Sequence, residues 1–480
     1  MNSLQQSITK SLKDNYNRVA IVDSSGNEIT YQDLSDNVKS YYQYIASNVG
    51  ENKKILLKFK DISKMIVAMI ACIYSNNTFI TISGDCSEER EQQIRNIVGD
   101  AFELNEDCSF PEKKGIQIEL ENINIDRSVP TYIFFTSGTT GVPKAVLGKN
   151  ESLLHFINWQ IEEFSIGPNS SFAQVTSPMY DCFLRDIFTP LISGGKIVLK
   201  PNDNIIFIPR LLNKWIKDNN INCMHCTPSL LNMIVTGIGE SGQLDMDYLF
   251  IAGEKILNAY IDKWIKCCSE KTTFVNLYGP TETTLVKCFH VINRKNYWKQ
   301  KEVSVGKAIC NEKVYVLDEN HKICQEGDSG EIYISMEYGS WGYLNYEGDN
   351  RFITLEEYSS IPFYKTGDIG YRKNGLLYLA GRNDRQVKIS GIRVELDAIE
   401  NAVMEEYPVD NVAVFTHNGV IHTCLVGEQS NVDVEVLRQY IRNMFMLKHI
   451  SIAIHFIAAL NITKNGKKDY RYVKETVLSN

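Results

Sequence analysis

The sequence has no long apolar run and no apolar leader. No stretch of its 480 residues approaches the roughly 18 uncharged apolar residues that a membrane-spanning helix needs. The N-terminal stretch MNSLQQSITKSLKDNYN also lacks the apolar centre of a secretion signal. We therefore expect a cytoplasmic protein without a membrane partner.

An excess of positive charge is absent as well. The chain has 50 Lys and Arg against 58 Asp and Glu, a formal net charge of −8 at pH 7. That balance argues against nucleic acid as the main partner. Apolar residues make up 44% and charged residues 22% of the chain, as is typical of globular proteins, and we expect this one to be a monomer.

The 12 cysteines are scattered along the chain and do not form the framework of a small disulfide-rich domain, which predicts reduced thiols. Cys223 and Cys226 form a CxxC, but the adjacent Cys267 and Cys268 do not have the spacing of a second zinc-ligand pair. The segment INCMHCTPSLL also reads as a buried strand running into a loop, where small thiols pack well. We therefore expect no zinc site.

Strand-like and helical patterns alternate from about residue 50 to 290. The strand-like runs are KILLKF, IFF, GKIVLK and TFVNLY, and the helical ones include DISKMIVAMIACIY and IIFIPRLLNKWIKDN. This alternation predicts α/β layers with much parallel sheet. Short strands with Gly-rich turns from about 303 to 380 predict a smaller β-rich subdomain. We expect a large N-terminal domain at 1–382 and a small α+β C-terminal domain at 383–480.

The stretch TYIFFTSGTTGVPKAVLG ends a strand pattern in a turn rich in Gly, Ser and Thr. Gly138 and Gly141 permit backbone conformations that other residues avoid, and the backbone N–H groups and hydroxyls of such a turn can converge on an anion. Lys144 adds a positive charge. The pattern is not G-x-x-x-x-G-K-[ST], because no Ser or Thr follows the lysine. A phosphate cradle is favoured over a polar surface turn.

Two further stretches each have a chemical and an ordinary structural interpretation. In NLYGPTETT, Tyr278 is suited to stack on a base and Glu282 to bind Mg²⁺. The alternative is a helix start with Thr281 as its N-cap. In YKTGDIG, Asp368 either accepts hydrogen bonds from a ribose diol or satisfies its own turn.

The C-terminal quarter contains two basic stretches. In GRNDRQVKISGIRVELDAIE, three basic residues, Arg382, Lys388 and Arg393, cluster beside Gly391, and a charged strand edge is the alternative. The stretch NGKKD, close to the C-terminus, reads on its own as a hairpin tip.

Together and in this order, TSGTTGVPK, NLYGPTE, YKTGD, GRNDRQVKISGIRVEL and NGKKD resemble the adenylate-forming enzyme superfamily. That superfamily includes acyl-CoA synthetases, firefly luciferase and the adenylation domains of nonribosomal peptide synthetases. The resemblance is clear from Thr131 to Asp469 and weaker before it, where only ITYQDL matches. It implies a large N-terminal and a small mobile C-terminal domain, with ATP between them.

The resemblance also implies a two-step ligase reaction. A carboxylate attacks the α-phosphate of Mg-ATP to give an acyl-adenylate and pyrophosphate, and a thiol then displaces AMP to form a thioester. The loop that would hold the leaving phosphates consists of Thr136, Ser137, Gly138, Thr139, Thr140, Gly141 and Lys144.

Other ATP contacts follow from the same resemblance. Asn276 and Tyr278 would contact adenine, and Gly253 would also lie at the ATP site. Thr281 would meet the α-phosphate and Glu282 the Mg²⁺. The ribose hydroxyls would be bound by Asp368 and Arg382.

The small domain would take part in both steps. The ammonium of Lys467 would lie between the carboxylate and the α-phosphate, where negative charge gathers in the transition state. Asp384 occupies the hinge position of the family, about which the domain would rotate before the second step. Lys388 and Gly391 would then approach the pantetheine thiol.

The segment SPMYDCFLRDIFTPLISGG resembles the amino-acid-selecting segment of peptide synthetase adenylation domains. There an aromatic residue and an Asp open the pocket, and here the pair is Tyr180-Asp181. Asp181 would neutralise the α-ammonium of the substrate, since a buried carboxylate needs a partner, and a helix N-cap is its alternative role. Acyl- and aryl-activating relatives usually lack this acid, so an amino acid is favoured over other carboxylic acids.

The rest of the implied pocket is mostly apolar and of medium size. It consists of Cys182, Arg185, Ser229, Phe250, Ala252, Leu277, Gly279, Leu285 and Val286. This lining favours a small or medium, largely apolar amino acid. Arg185 departs from the tryptophan often found at its position, and it either binds an acceptor on the substrate, pairs with Asp186 or points away.

Only 13 residues follow Lys467, too few for a pantetheine-bearing domain. We therefore expect a free-standing adenylation enzyme that loads an amino acid onto the phosphopantetheine of a separate carrier protein. An acyl- or aryl-CoA ligase is the first alternative. A non-catalytic nucleotide-binding relative is the second, and the presence of Glu282, Asp368, Arg382 and Lys467 disfavours it.

Overall fold

The computed structural model describes residues 3–111, 118–123, 126–136, 143–238, 242–297, 302–345, 350–427, 432–461 and 468–479. Contacts within the chain divide it into two compact units. The large unit comprises residues 1–85, 98–135 and 145–383, and the small unit comprises residues 86–97, 136–144 and 384–480. Each unit is described by itself below.

Helices and strands follow each other along the whole chain. The strands are β1 (Val19–Val22), β2 (Glu28–Thr30), β3 (Lys54–Phe59), β4 (Thr78–Ser83), β5 (Phe102–Asn105), β6 (Tyr132–Thr136), β7 (Lys144–Gly148), β8 (Ser171–Gln174), β9 (Lys196–Leu199), β10 (Cys223–Cys226), β11 (Tyr248–Ile251), β12 (Thr273–Tyr278), β13 (Cys288–Val291), β14 (Lys307–Ala308), β15 (Val314–Leu317), β16 (Ser329–Ser335), β17 (Phe352–Ile353), β18 (Phe363–Lys373), β19 (Leu376–Arg382), β20 (Gln386–Ile389), β21 (Ile392–Glu395), β22 (Asn411–His417), β23 (Val420–Val426) and β24 (Ile452–Ile457). The α-helices are α1 (Leu4–Asp14), α2 (Tyr31–Asn48), α3 (Ile62–Tyr74), α4 (Glu88–Val98), α5 (Asn150–Glu163), α6 (Phe183–Ser193), α7 (Pro209–Asp218), α8 (Pro228–Thr236), α9 (Asn258–Cys267), α10 (Leu396–Glu406), α11 (Val434–Met444) and α12 (Tyr470–Ser479). Three short 3-10 segments cover Leu120–Asn122, Asp203–Phe207 and Thr281–Thr283. None of the helices in these described ranges is long and apolar enough to span a bilayer.

Two largely parallel sheets form the framework of the large unit. A nine-stranded sheet has the order β14-β13-β12-β11-β10-β8-β9-β1-β2, and its strands are parallel from β12 to β1. A five-stranded sheet has the order β5-β3-β4-β6-β7. Parallel sheets must be covered on both faces, and α3 is accordingly buried along most of its length. The predicted α/β fold class is confirmed.

The region from about 303 to 380 forms the predicted small β-rich subdomain. Strands β15, β16, β18 and β17 make an antiparallel sheet, and β19 pairs with β18. An apolar cluster that includes Val314, Val316, Ile332 and Ile334 packs beneath it against Tyr278 of β12. The subdomain is thereby joined to the edge of the nine-stranded sheet.

The C-terminal part of the small unit contains a hairpin of β20 and β21 and a three-stranded sheet in the order β22-β23-β24. Its most connected polar residue is Glu400 of α10, which is almost wholly buried. Glu400 pairs with Arg385 at 2.8 Å and Lys468 at 2.8 Å, and it accepts a hydrogen bond from the Tyr470 hydroxyl at 3.1 Å. Through these contacts, residues near the beginning and near the end of this C-terminal part are both bound to α10.

One local expectation differs from the structure. The segment IIFIPRLLNKWIKDN is not one helix, because Pro209 separates a 3-10 segment from α7 and takes the first position of that helix. Proline suits that position, since its missing N–H would have no helical partner. The stretch RQVKISGIRVEL forms two paired strands, β20 and β21.

Gly306 joins the nine-stranded sheet to β19 of the subdomain. Its carbonyl accepts a hydrogen bond from Leu377 N at 2.8 Å, and its φ is +88°. A Cβ on Gly306 would lie 1.8 Å from the carbonyl oxygen of Phe289. Gly26 has a similar φ of +87° but open space around it.

We expect Gly306→Ala to lower the free energy of unfolding more than Gly26→Ala. Both changes place an L residue in the left-handed region, at about 1–2 kcal/mol, but only the first also displaces packed backbone, at about 1–3 kcal/mol more. Urea unfolding of both variants measures the difference, and equal losses would contradict the close approach.

Candidate active site

The predicted substrate and ATP residues of the large unit gather at the carboxyl edge of the nine-stranded sheet. Asn276 and Tyr278 end β12, Gly253 follows β11, and Asp181 lies between β8 and α6. Ligands of open α/β sheets bind at this edge, where the loops after neighbouring parallel strands converge. The order of the strands in the sheet therefore explains how residues about 100 positions apart in the sequence become neighbours.

Tyr278, Asp368 and Arg382 form one hydrogen-bonded group. The Tyr278 hydroxyl donates to Asp368 Oδ2 at 2.6 Å, and Arg382 pairs with Oδ1 of the same carboxylate. Arg382 also donates to the Thr366 carbonyl at 3.1 Å. Burial, with the Asp368 charge beside it, raises the pKa of Tyr278 well above its usual value, so its hydroxyl stays a donor. The ordinary alternative for Asp368 is wrong, since it stands inside β18, directly across from Arg382 on β19.

Asn276, the other predicted adenine contact, has its side chain almost wholly buried. Its Nδ2 donates to the Ser304 carbonyl at 2.8 Å. This bond ties the end of β12 to the segment that leads into β14, and it sets the orientation of the side-chain amide.

Glu282 lies in the short 3-10 turn after β12 and is fully buried. The Tyr343 hydroxyl donates to its Oε1 at 2.8 Å. The first residue of the turn is Thr281 and its N-cap is Pro280, so Thr281 as N-cap is wrong. A buried carboxylate is a hard oxygen ligand of the kind that Mg²⁺ takes, and Glu282 fits that metal.

Asp181 has Thr281, Glu282 and Arg185 as neighbours. Burial raises the pKa of the Asp181 carboxyl, and the nearby Glu282 charge acts in the same direction. A hydrogen bond from the Thr281 hydroxyl and the charge of Arg185 oppose that rise. Asp181 is not a helix N-cap, because α6 begins at Phe183 with Cys182 as its cap residue. The surroundings of the carboxyl therefore disfavour its negative charge. Tyr180 beside it is half-buried.

The other predicted pocket residues differ in exposure. Four are buried, namely Phe250, Leu277, Leu285 and Val286. Two are half-buried, Cys182 and Ala252, and one, Ser229, is exposed. Ser229 donates to Glu254 Oε2 at 2.6 Å. The ring of Phe250 packs into the core against Phe164 and His225.

Gly279 allows the chain at 284–286 to pass close to β12. A Cβ on Gly279 would lie 2.4 Å from the carbonyl oxygen of Leu285 and 2.9 Å from Cα of Val286. Thr284 and Leu285 both have left-handed backbone, with φ of 67° and 59°. Such conformations are uncommon for residues with side chains and tend to occur at functional sites.

A buried polar network lies beneath the pocket, and the sequence patterns did not reveal it. His225 Nδ1 contacts Asp186 Oδ1 at 3.0 Å, and Gln160 Nε2 contacts His225 Nε2 at 2.7 Å. Thr189 donates to Gln160 Oε1 at 2.9 Å, and Thr176 N donates to Asp186 Oδ2 at 3.2 Å. Gln160 donates, so His225 accepts at Nε2 and donates from Nδ1.

Several predicted residues fall outside the described part of the chain. They are Ser137, Gly138, Thr139, Thr140, Gly141 and Lys467. Thr136 ends β6 and Lys144 begins β7 on either side of the loop.

The residues predicted for the thioester step lie in the small unit. Asp384 Oδ1 accepts a hydrogen bond from Gln386 N at 3.2 Å. Lys388 is exposed on β20, and Gly391 occupies the turn between β20 and β21 with a φ of +81°.

The cysteine pair of the CxxC is buried in β10. No group of three or more His, Cys, Asp or Glu among the described residues is arranged to hold a metal ion. All twelve cysteines lie in the described ranges and are free thiols.

Comparison with known proteins gives one family match and many relatives. The model of the AMP-binding enzyme family matches residues 95–344, just over half of the chain. Gramicidin S synthase 2 of Aneurinibacillus migulanus is 26% identical over 509 residues, covering 98% of this chain and 11% of that protein. Surfactin synthase subunit 1 of Bacillus subtilis (strain 168) is 28% identical over 384 residues, covering 75% and 10%. The chain thus spans about a tenth of the length of these relatives.

Solved structures share the fold. The Vibrio cholerae adenylation domain AlmE, in complex with glycyl-adenosine-5'-phosphate, matches with a TM-score of 0.84 and 19% identity over 100% of this chain and 98% of that chain. Holo-PA1221, an NRPS protein containing adenylation and PCP domains, matches with a TM-score of 0.82 and 21% identity over 99% and 84%. At these identities the likeness establishes the fold alone.

The buried network predicts a pH dependence of stability. Burial, aided by the charge of Arg185, lowers the pKa of His225 to about 4, although Asp186 opposes the shift. The unfolded chain therefore takes up a proton on this ring near pH 6.5, where the folded chain does not. The free energy of unfolding should therefore decrease as the pH is lowered from about 6.5 to about 4. The decrease should be about 1.4 kcal/mol for each unit by which the pKa of the folded state lies below that of the unfolded state.

We expect His225→Asn to reduce this slope, because the variant lacks the titrating ring. Urea unfolding across the same pH range measures it, with His321→Asn on the exposed surface as the matched substitution. An unchanged slope in His225→Asn would show that the ring is not buried in its neutral form.

Proposed function

The chain belongs to the AMP-binding enzyme family, and from that membership we propose that it activates an amino acid. The amino acid carboxylate attacks the α-phosphate of ATP, forming an aminoacyl-adenylate as the bond to pyrophosphate breaks. In a second step, the phosphopantetheine thiol of a carrier protein attacks the acyl carbon and AMP leaves. The protein would thus be an aminoacyl-carrier protein ligase.

The observation that supports an amino acid most strongly is the position of Asp181. Its carboxyl lies beside Thr281 and Glu282, the residues proposed to meet the α-phosphate and the metal. An α-amino acid bound with its carboxylate near Thr281 would direct its ammonium to Asp181. A charged group in such a setting requires a counter-charge, which the ammonium supplies. Fatty and aryl acids have no such group.

The group of Tyr278, Asp368 and Arg382 suits the nucleoside of ATP. Arg382 and the Tyr278 hydroxyl orient the Asp368 carboxylate, which retains acceptor capacity for the ribose diol. The ring of Tyr278 offers a face for the base. Asn276 and Gly253 would complete this end of the site.

Glu282 would hold Mg²⁺, with Tyr343 fixing the orientation of its carboxylate. The metal, when bound, neutralises negative charge on the phosphates. Thr281 would bind the α-phosphate and the loop of Thr136 to Lys144 the leaving phosphates. Catalysis in this arrangement is positioning and charge neutralisation, with little proton transfer.

We propose domain limits of 1–382 and 383–480, with Asp384 as the hinge. Lys467 would neutralise charge in the first step, and Lys388 and Gly391 would act near the thiol in the second. The fold match to PA1221, a protein with adenylation and PCP domains, supports a carrier protein as the thiol donor. The match to AlmE, which was solved with a glycyl-adenylate, supports an amino acid as the acid.

ATP–pyrophosphate exchange against a panel of amino acids, fatty acids and aryl acids tests the function. We expect exchange with an amino acid, and Asp181→Asn should raise the KM for that amino acid at least about 30-fold, because a buried charge loses its partner. The KM for ATP should change little. Asp245→Asn, at a surface ion pair with Lys271, is the matched substitution. Exchange with fatty or aryl acids alone would instead indicate an acyl- or aryl-CoA ligase.

A second prediction separates the two half-reactions. Lys467→Ala should slow adenylate formation at least about 100-fold, because the charge that develops at the α-phosphate loses a donor. Thioester formation from a supplied aminoacyl-adenylate should remain near the wild-type rate. Lys474→Ala, in α12 of the same unit, is the control. An equal loss of both half-reactions would reject the assignment of Lys467 to the first step.

A further inference from the structure

Arg185 is a buried cation with an unsatisfied donor. It lies in the first turn of α6 and is only 6% exposed. Its Nε is buried and has no hydrogen-bond partner among the residues that the structure describes. Burying such a donor without an acceptor is unfavourable, and more so when the group is charged. The side chain therefore requires a partner that the protein itself does not supply at Nε.

Asp186 does not supply that partner. One of its carboxylate oxygens contacts His225 Nδ1 at 3.0 Å, and the other accepts a hydrogen bond from Thr176 N at 3.2 Å. The far side of the His225 ring contacts Gln160 Nε2 at 2.7 Å. The buried network is thus complete without the guanidinium, and the alternative in which Arg185 pairs with Asp186 is not what the structure forms.

Asp181 is a second acid near Arg185, whose charge opposes the rise in the pKa of the Asp181 carboxyl. In the proposed function this carboxyl binds the α-ammonium of the substrate, so it cannot also serve as the main partner of the guanidinium. Arg185 lies in the first turn of α6, and Asp181 lies in the turn that precedes this helix. The charge of Arg185 acts on the Asp181 carboxyl, so the two side chains are neighbours. A ligand that contacts both needs a cationic and an anionic group.

We propose that the amino acid substrate carries a side-chain carboxylate, which Arg185 binds while Asp181 holds the α-ammonium. The proposal rests on the amino acid activation proposed above and names its substrate class. Aspartate and glutamate carry both an α-ammonium and a side-chain carboxylate. The planar guanidinium matches a carboxylate with two parallel hydrogen bonds. The apolar side chains of Leu285 and Val286 would then enclose the short methylene chain.

Substrate discrimination tests this class directly. The kcat/KM for ATP–pyrophosphate exchange is measured with aspartate, glutamate, asparagine, glutamine and leucine, for the wild type and for Arg185→Leu. A site built to hydrogen-bond a substrate group rejects analogues that lack it by large factors. We expect the wild type to prefer an acidic amino acid at least about 100-fold over its amide and over leucine. In Arg185→Leu the preference for the acid should disappear and leucine should become the better substrate.

Two controls keep the outcomes distinct. Arg210→Leu, at an exposed position of α7, should retain the wild-type preference, and the urea midpoint of Arg185→Leu shows whether that variant folds. A wild type that prefers leucine or an amide would overturn the proposal. So would an acid-to-amide ratio that Arg185→Leu leaves unchanged in the folded protein. Absence of exchange with every amino acid would instead reject the amino acid activation on which the proposal rests.

Discussion

The carboxylate of Asp368 is the constraint on which the ATP end of the candidate site depends. It lies on β18 of the β-rich subdomain, and it receives one bond from Tyr278 on the nine-stranded sheet and one from Arg382 on the neighbouring strand. Three segments from two sheets therefore share a single anion. The backbone bridge between Gly306 and Leu377 reinforces the same junction. A nucleoside site formed by this group would be held in place by two sheets and not by a loop.

Charge organises the substrate end in a different way. Asp181 and Glu282 are neighbouring acids, and the charge of Glu282 helps to raise the pKa of the Asp181 carboxyl. Two cations relieve this repulsion in the proposed reaction, the substrate ammonium at Asp181 and Mg²⁺ at Glu282. In that reaction each cation would lower the cost of the neighbouring negative charge. The positive charge of Arg185 also opposes the rise in the pKa of Asp181.

The sequence predicted well what depends on local pattern. KILLKF and TFVNLY are strands, DISKMIVAMIACIY is a helix, and the β-rich texture after residue 303 is a separate antiparallel sheet. The motif residues also converge as expected, since parallel strands bring their carboxyl ends to one edge. The pairing order could not be predicted, because β8 lies between β9 and β10 for reasons of long-range packing. The same holds for Tyr343, which contacts Glu282 from 61 residues away, and for His225, which no local pattern distinguishes from a core residue.

The role proposed for Arg185 would make the mostly apolar composition of the pocket a weak guide to its ligand. Most of the lining is apolar, and that composition predicts a largely apolar substrate. Burial of one methylene group favours binding by about 0.8 kcal/mol. A charged donor that the ligand leaves without an acceptor opposes binding by a larger amount. The sequence identifies the arginine, but only the structure shows that its Nε is buried and that Asp186 is already engaged. The unsatisfied cation therefore outweighs the apolar majority in deciding which side chain the pocket accepts.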